Sequence, residues 1–531
     1  MKNTYIYILC LGLLSLESCS IETEPLTQLT DTNFYTSPED ALTALIGCYD
    51  GLQVAAGASG TGVPVASEVF SDDCFGGTGN ADGYNFAALD EFDISRAPSY
   101  VDLFNDNWVA YYKAIYRCNV LLSKMDQIDW GGDDVLRKTY ESETRFIRAY
   151  TYFEMVRLWG NIPLLTTPST ENIPQALPEE VYAVIAEDLQ FAANNLPTIA
   201  YDAVDSGRVT KWAAKSLLGR VFLYYTGYYG TSDLAGIVTK TEALGHLEDV
   251  IASSGHDLVD DYATLWPAAS AASAIDYAGE DNKEIVFSIK HTYTSDYNGN
   301  TDGNHWLVLF GMREYSYLPY GNGWGVTVNS KLWDAYDDND TRKSATVISI
   351  ADEEIPFDKI DNQREYTGYY NKKYTPMSML DEEGNTVSAV EQYGVSDFQI
   401  NQFQDYIVLR YSDVLLMAAE LGSGNAQAYF DQVRKRAYKD NFTAITLTPA
   451  NLLQERHLEF ALEGVRYWDL LRQGVNTAAS TIAETTTLLS GGVADIKTIS
   501  EGNIQTTKGL QQIPNTQITL SGGVLIQNTG W

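Results

Sequence analysis

Two apolar-periodic runs separated by a short polar break set the tightest limit on the fold. NDNWVAYYKAIYRCNVLLSKM, starting at Asn105, places Trp108, Tyr112, Ile115, Asn119 and Leu122 on one stripe at helical spacing. The break DWGGDD follows. VLRKTYESETRFIRAYTYFEMVRLWG then forms a second helical run, closed by Gly160 with Pro163 just beyond. Long helices joined by so short a connection fold back on each other as an antiparallel pair. The pairing recurs in LPEEVYAVIAEDLQFAANNLP and SGRVTKWAAKSLLGRVFLYYTG, the latter with Ser206 as a candidate cap, and KTEALGHLEDVIAS adds a further helix. Successive hairpins without a strict sequence repeat predict a mainly all-α fold of tetratricopeptide-like helical hairpins.

The rest of the chain is less regular. A helix is expected near Ala41–Leu52, then a glycine-rich polar loop over Ala55–Asp93. From His256 to Asp405 the sequence is rich in Gly, Asn, Asp, Tyr and Trp, with short β-like runs such as EIVFSIKH. Loops this extended inside a large globular chain are usually functional or flexible. Helical patterning returns in IVLRYSDVLLMAAELG, NAQAYFDQVRKRA and ERHLEFALEGVRYWDLLRQG, and SGGVLIQNTGW reads as an irregular tail. The length allows two or three ordinary domains or one large single-core body, and residues 41–531 are expected to form a single domain. Its helical elements are placed at about 41–54, 105–253 and 406–474, and its loop-rich segments at about 55–104 and 256–405.

The formal net charge of −36 repels phosphate backbones, which argues against nucleic acid as a partner and against docking on anionic lipid by surface charge. The N-terminal run MKNTYIYILCLGLLSLESC has one early Lys and an apolar stretch too short to span a bilayer comfortably. Leu16 three residues before Cys19, with Ser18 just ahead, is similar to a bacterial lipoprotein cleavage box. That layout predicts a signal peptide at 1–18, lipid on Cys19, and a tether over 19–40. Cys48, Cys74 and Cys118 allow at most one disulfide and show no zinc spacing.

Catalytic signatures are thin. None of the five His falls in H-E-x-x-H, and neither G-x-S-x-G nor a P-loop is present. Acidic pairs such as Asp72–Asp73 and Asp337–Asp338 are expected by chance among 71 acids. DAYDDNDTRKSA offers closely spaced oxygens for calcium but lacks the glycine and terminal Glu of an EF-hand, so a solvated turn is favoured and no cofactor is assigned. The charge-rich run Glu455–Gly474 resembles an active site at first sight. Read as one helix at ~100° per residue, it gathers Glu455, Arg456, Glu459, Glu463 and Arg466 on one stripe, with Arg456–Glu459 and Glu463–Arg466 as i,i+3 pairs. The rest of its girth is apolar, so it is expected to be buried, with Asp469 and Arg472 needing partners from elsewhere. Gly464 is expected to admit a close neighbour. Ionised Arg is a poor proton shuttle, so the run is read as a brace.

Together, RFIRAYTYFEMVRLWGNIPLL, GRVTKWAAKSLLGRVFLYY, VLRYSDVLLMAAE, VRKRA, ERHLEFALEGVRYWDLLRQG and the terminal QNTGW resemble the RagB/SusD-type outer-membrane lipoproteins, in the same order. The resemblance runs from Cys19 to Trp531, with Thr529 in place of a common proline. It implies a non-enzymatic, cell-surface lipoprotein of the outer membrane that binds an oligosaccharide or polysaccharide. The implied partner is a SusC-type TonB-dependent transporter, which receives the nutrient. A surface glycoside hydrolase, a helical-repeat adaptor for protein and a peptide-binding relative are the alternatives.

A pyranose presents an apolar face and a rim of hydroxyls, which aromatic platforms and Asp, Asn or Arg side chains respectively satisfy. Trp324 in YGNGWGVT, where flanking glycines let the ring stand clear, occupies a position similar to that of a sugar-stacking aromatic in glycan-binding relatives. Tyr84 is expected on the same face, with Trp306, Tyr315 and Tyr317 as further platforms and Asp73 and Arg364 as hydroxyl ligands.

Overall fold

The structure, a computed structural model, describes residues 34–58, 61–93, 95 and 102–531. Cys19, the signal run and most of the tether lie outside the described residues.

Helix α1 (Pro38–Gln53) starts at a capping box in which Ser37 Oγ accepts from Asp40 N–H at 3.3 Å and Asp40 Oδ2 accepts from Ser37 N–H at 3.0 Å. The segment expected to be all loop contains α2 (Val63–Phe70) and α3 (Asn85–Leu89). VPVASEVF is apolar nearly all round, so it lacks the amphipathic signal of a surface helix and sits wholly in the core.

The predicted hairpins follow as α4 (Asn105–Lys124), α5 (Asp134–Trp159), α6 (Pro178–Asn195), α7 (Lys211–Tyr229) and α8 (Lys240–Ser253). Each packs on the next, and α1 closes against α4 and α5. Asp133 caps α5 by accepting from Leu136 N–H at 2.9 Å, and Gly160 ends it at φ +70°. The cap of α7 is Thr210, which accepts from Ala213 N–H at 3.0 Å; Ser206 instead donates to Asp281. Between α5 and α6, Arg145 and Arg148 converge on the buried carboxylate of Asp188. Later helices include α9 (Tyr411–Glu420), α10 (Ala426–Tyr438), α11 (Pro449–Phe460), α12 (Arg466–Leu471) and α13 (Asn515–Leu520), with further short helices in the central segment and between α12 and α13. Cys48, Cys74 and Cys118 are buried free thiols.

Among the described residues every strand belongs to a two-stranded pair, so there is no closed sheet. The strands that matter here are β1 (Cys74–Phe75), β2 (Ile285–Ile289), β3 (Met312–Arg313), β4 (Asn322–Gly323), β5 (Thr327–Val328), β6 (Tyr406–Arg410), β7 (Glu484–Ser490) and β8 (Val493–Ile499). The β2–β6 pair stitches the loop-rich segment to the start of α9. The β7–β8 hairpin ahead of the tail turns on Gly491 and Gly492, both at positive φ. It docks through Lys497, whose ammonium lies 2.7 Å from Asp90 and 2.9 Å from Glu365.

The run Glu455–Gly474 is not one helix. It breaks between Phe460 and Arg466, with Leu462 at φ +66° and Gly464 at φ +76°. The break redirects the charges, so neither predicted i,i+3 pair forms. Arg456 forks to Asp413 and Asp469, while Arg466 grips Asp72. Glu459 accepts from Arg342, Arg410 and Arg436, and Glu463 from Arg410 and Lys373. Burial opposes ionisation of Glu459, but the three guanidinium groups hold its carboxyl well below the usual range. Arg472 finds its outside partner in Glu420, whereas Asp469 is answered from within the run, by Arg456 across the break and by Arg472. Gly464 also admits close neighbours: a Cβ there would lie 3.1 Å from the Tyr406 hydroxyl and 3.2 Å from Pro64 Cα.

Candidate binding cleft

Strand β1 pairs with β5 in antiparallel register, Cys74 opposite Val328 and Phe75 opposite Thr327, and so joins an N-terminal segment to the central loops. Parallel pairing of β3 with β4 pinches off the loop that carries Tyr315 and Tyr317. Trp324 follows β4 directly. Its N–H donates to Val308 O at 2.9 Å, which fixes the backbone. Gly323 lies so close to the opposing chain that a Cβ would fall 2.3 Å from Val308 O, and Gly325 adopts φ +87°. The two glycines thus let the backbone turn tightly while the indole stands out, 39% exposed.

The ring lines a cleft of about 620 Å³ together with Phe86, His305, Gln399, Asp102 and Asp106. Burial pulls the His305 imidazole below its usual value and lifts the Asp102 carboxyl above its own. His305 Nε2 lies 3.2 Å from Ser295 Oγ, and Asp102 Oδ1 accepts from Asn515 N–H at 3.2 Å at the start of α13. One aromatic wall faced by amide, imidazole and carboxylate groups suits a ligand that is apolar on one side and hydroxylated on its rim.

Of the other expected residues, only Trp306 reaches this cleft. Trp306 touches the same cleft but is only 2% exposed, with its ring edge-on to Phe310, Tyr374 and Tyr406. It is the floor of the cleft rather than a platform, because a core of aromatic edges covers it. Asp73 is buried with Oδ1 2.6 Å from His457 Nε2, out of reach of a ligand in the cleft. Tyr315 donates to Pro356 O at 2.8 Å and packs edge-on against Phe357, away from the cleft lining. Tyr317 is exposed on a turn closed by paired backbone bonds with Tyr320, and does not line the cleft either. Tyr84 and Arg364 do come together, with the guanidinium 4.6 Å from the ring centroid. Arg364 is buried and donates to the carbonyls of Asn80, Asp82 and Gly83, so it braces the loop bearing Tyr84 rather than offering itself to a ligand. That loop is tied to the Trp324 segment, since Thr78 N–H and Gln363 Nε2 both donate to Gly325 O.

Phe86, His305 and Gln399 are not among the expected residues, nor are the tyrosines of the segments that lead to His305 and Gln399. Tyr293 stacks on Tyr393 at 3.9 Å, and Tyr297, 78% exposed, donates to Asp397 at 2.7 Å. The available signal was tyrosine within the Asn/Gly-rich run YTSDYNGN. In DAYDDNDTRKSA, Asp337 accepts from Asn339, Asp338 pairs with Lys343 and Asp340 with Arg342, so three of its four acids are engaged within the fold.

A model of the SusD family matches residues 276–531, and a second, described as starch-binding associating with outer membrane, matches residues 52–223. The chain belongs to the SusD family. This SusD family protein is 24% identical over 510 residues to SusD-like protein P38 of Formosa agariphila, across 88% of this chain and 90% of the relative. Surface glycan-binding protein A of Bacteroides thetaiotaomicron, solved with laminarihexaose, superposes with a TM-score of 0.74 at 25% identity, covering 93% of this chain and all 100% of that one. A laminarin-binding SusD-like protein superposes at 0.72 with 26% identity, covering 94% and 100%. As a SusD family member the chain is a binding protein associated with the outer membrane, not an enzyme.

Proposed function

We propose that this SusD family protein captures an oligosaccharide in the Trp324 cleft and delivers it to a SusC-type TonB-dependent transporter. The carrying observation is the Trp324 ring, held out by Gly323 and Gly325 on the wall of a cleft large enough for a short glycan. Stacking against the apolar face of a sugar would bury that ring, while Gln399, His305 and Asp102 supply hydrogen bonds to hydroxyls. Laminarihexaose and laminarin are named for two structural neighbours, which makes β-glucan the first polymer to test. Lipid on Cys19 would tether residues 41–531, acting as one domain, to the outer membrane.

Affinity electrophoresis in gels containing laminarin and a panel of other polysaccharides tests the reading. Retardation by at least one polymer, lost in Trp324→Ala without release of new reducing ends, is the expected result. Retardation that survives Trp324→Ala removes the cleft from consideration, and mobility unchanged by every polymer removes the glycan. For the anchor, Cys19→Ser is expected to move the protein out of the membrane fraction.

A further inference from the structure

We infer that a divalent cation of the zinc type binds between Asp72, Asp73 and His457, with Glu68 closing the site, beneath the strand pair that positions Trp324. The three residues reach this point from distant parts of the chain. Asp72 and Asp73 follow the buried helix α2, whereas His457 lies on α11. One ligand atom from each lies within 4.8 Å of the other two. His457 Nε2 and Asp73 Oδ1 are 2.6 Å apart, and a modest outward movement would seat both on a cation with bonds of about 2.0–2.2 Å.

Two further oxygens point to a ligand. Asp73 Oδ2 and Glu68 Oε2 are both buried without a hydrogen-bond partner, on side chains that are 1% and 0% exposed. A buried carboxylate oxygen without a donor or cation is strongly disfavoured. Glu68 and Asp73 also lie near enough to oppose each other's charge, adding to the effect of burial on Glu68. The cations around it are already committed: Arg466 forks two nitrogens onto Asp72 at 2.8 Å, and Lys373, whose charge reaches Glu68, donates to Glu463 at 2.7 Å. That leaves Asp73 and Glu68 short of positive charge, which a divalent ion would supply.

The donor set selects the ion. Calcium and magnesium take oxygen ligands, whereas imidazole nitrogen with two or three carboxylates suits zinc and its neighbours. The surroundings fix the ligands in place, because Arg466 orients Asp72 and Asn329 N–H donates to Asp73 O at 2.7 Å. The site would clamp the segment entering β1 onto α11. Since β1 pairs with Thr327–Val328, that clamp sits directly behind the Trp324 segment.

The experiment uses the full-length protein stripped of metal and titrated with cobalt or zinc chloride alone. Wild type is expected to take up one ion per chain, with cobalt giving visible d–d absorption and zinc displacing it, while calcium does not compete. His457→Gln, which removes the nitrogen ligand, is expected to lose the uptake and the absorption while circular dichroism confirms that it folds. Glu68→Gln, which keeps size and hydrogen bonding, is expected to weaken uptake at least tenfold. Substoichiometric uptake by wild type overturns the inference, as does stoichiometric uptake that persists in His457→Gln. The readout is metal uptake, so its outcome is separate from that of the polysaccharide assay.

Discussion

Arg342 and Glu459 meet at 2.9 Å with neither side chain exposing any surface. Arg410 and Arg436 reach the same carboxylate from β6 and α10, so one acid anchors three guanidinium groups drawn from three parts of the chain. Glu459→Ala leaves those cations in the core without their shared partner. It is expected to lower the unfolding free energy by about 3–5 kcal/mol, measured by urea denaturation, whereas exposed Asp440→Ala leaves the midpoint nearly unchanged.

Gly464 is expected to resist the smallest side chain. Its φ of +76° disfavours any L residue, and Tyr406 and Pro64 stand 3.1 and 3.2 Å from where Cβ would lie. Gly464→Ala should cost about 1–3 kcal/mol, seen as a lower thermal midpoint. An unchanged midpoint would show that the break between α11 and α12 does not depend on this conformation.

Trp324 and Trp306 line one cleft but should behave oppositely. Trp324→Ala is expected to weaken polysaccharide binding at least about tenfold, ~1.4 kcal/mol, with little change in stability because the ring is already part-exposed. Trp306→Ala removes a core ring and should destabilise by about 3–5 kcal/mol. Isothermal titration and thermal melts on the same two variants separate the roles.

His256 sets an acid limit on stability. It is buried, stacked on Tyr201 at 4.3 Å, with Nδ1 3.0 Å from Lys283 O, and burial pushes its pKa down to about 4. The folded state therefore holds the ring neutral while the unfolded chain protonates it from about pH 6.5 downward. The contribution is fully present above pH 6.5 and is lost as pH falls through 4, amounting to up to about 3 kcal/mol. Urea midpoints measured from pH 7.5 to pH 4 should fall less steeply in His256→Phe than in wild type.

Local spacing made much of the framework legible. The hairpins α4 to α8 follow from helical periodicity with short polar breaks, because that pattern depends only on residues three and four apart. α2 carries no such signal, because a helix apolar on nearly every side has little polar face to contrast with. No sequence-based expectation covers the β7–β8 hairpin, whose one local mark is the Gly491–Gly492 turn.

The sequence by itself determined the helical body, the ordered motifs that mark the family, and the glycine setting of Trp324. Tertiary structure alone decided which aromatic is a wall and which a floor, and which charge answers which. Trp306 and Trp324 both sit in loop-rich sequence, yet only the packing of Phe310, Tyr374 and Tyr406 around the first hides it. Arg342 reaches Glu459 across 117 positions, and Asp73 reaches His457 across 384. Periodicity reports which way a residue faces on its own element; burial and ion pairing depend on what other elements bring up against that face.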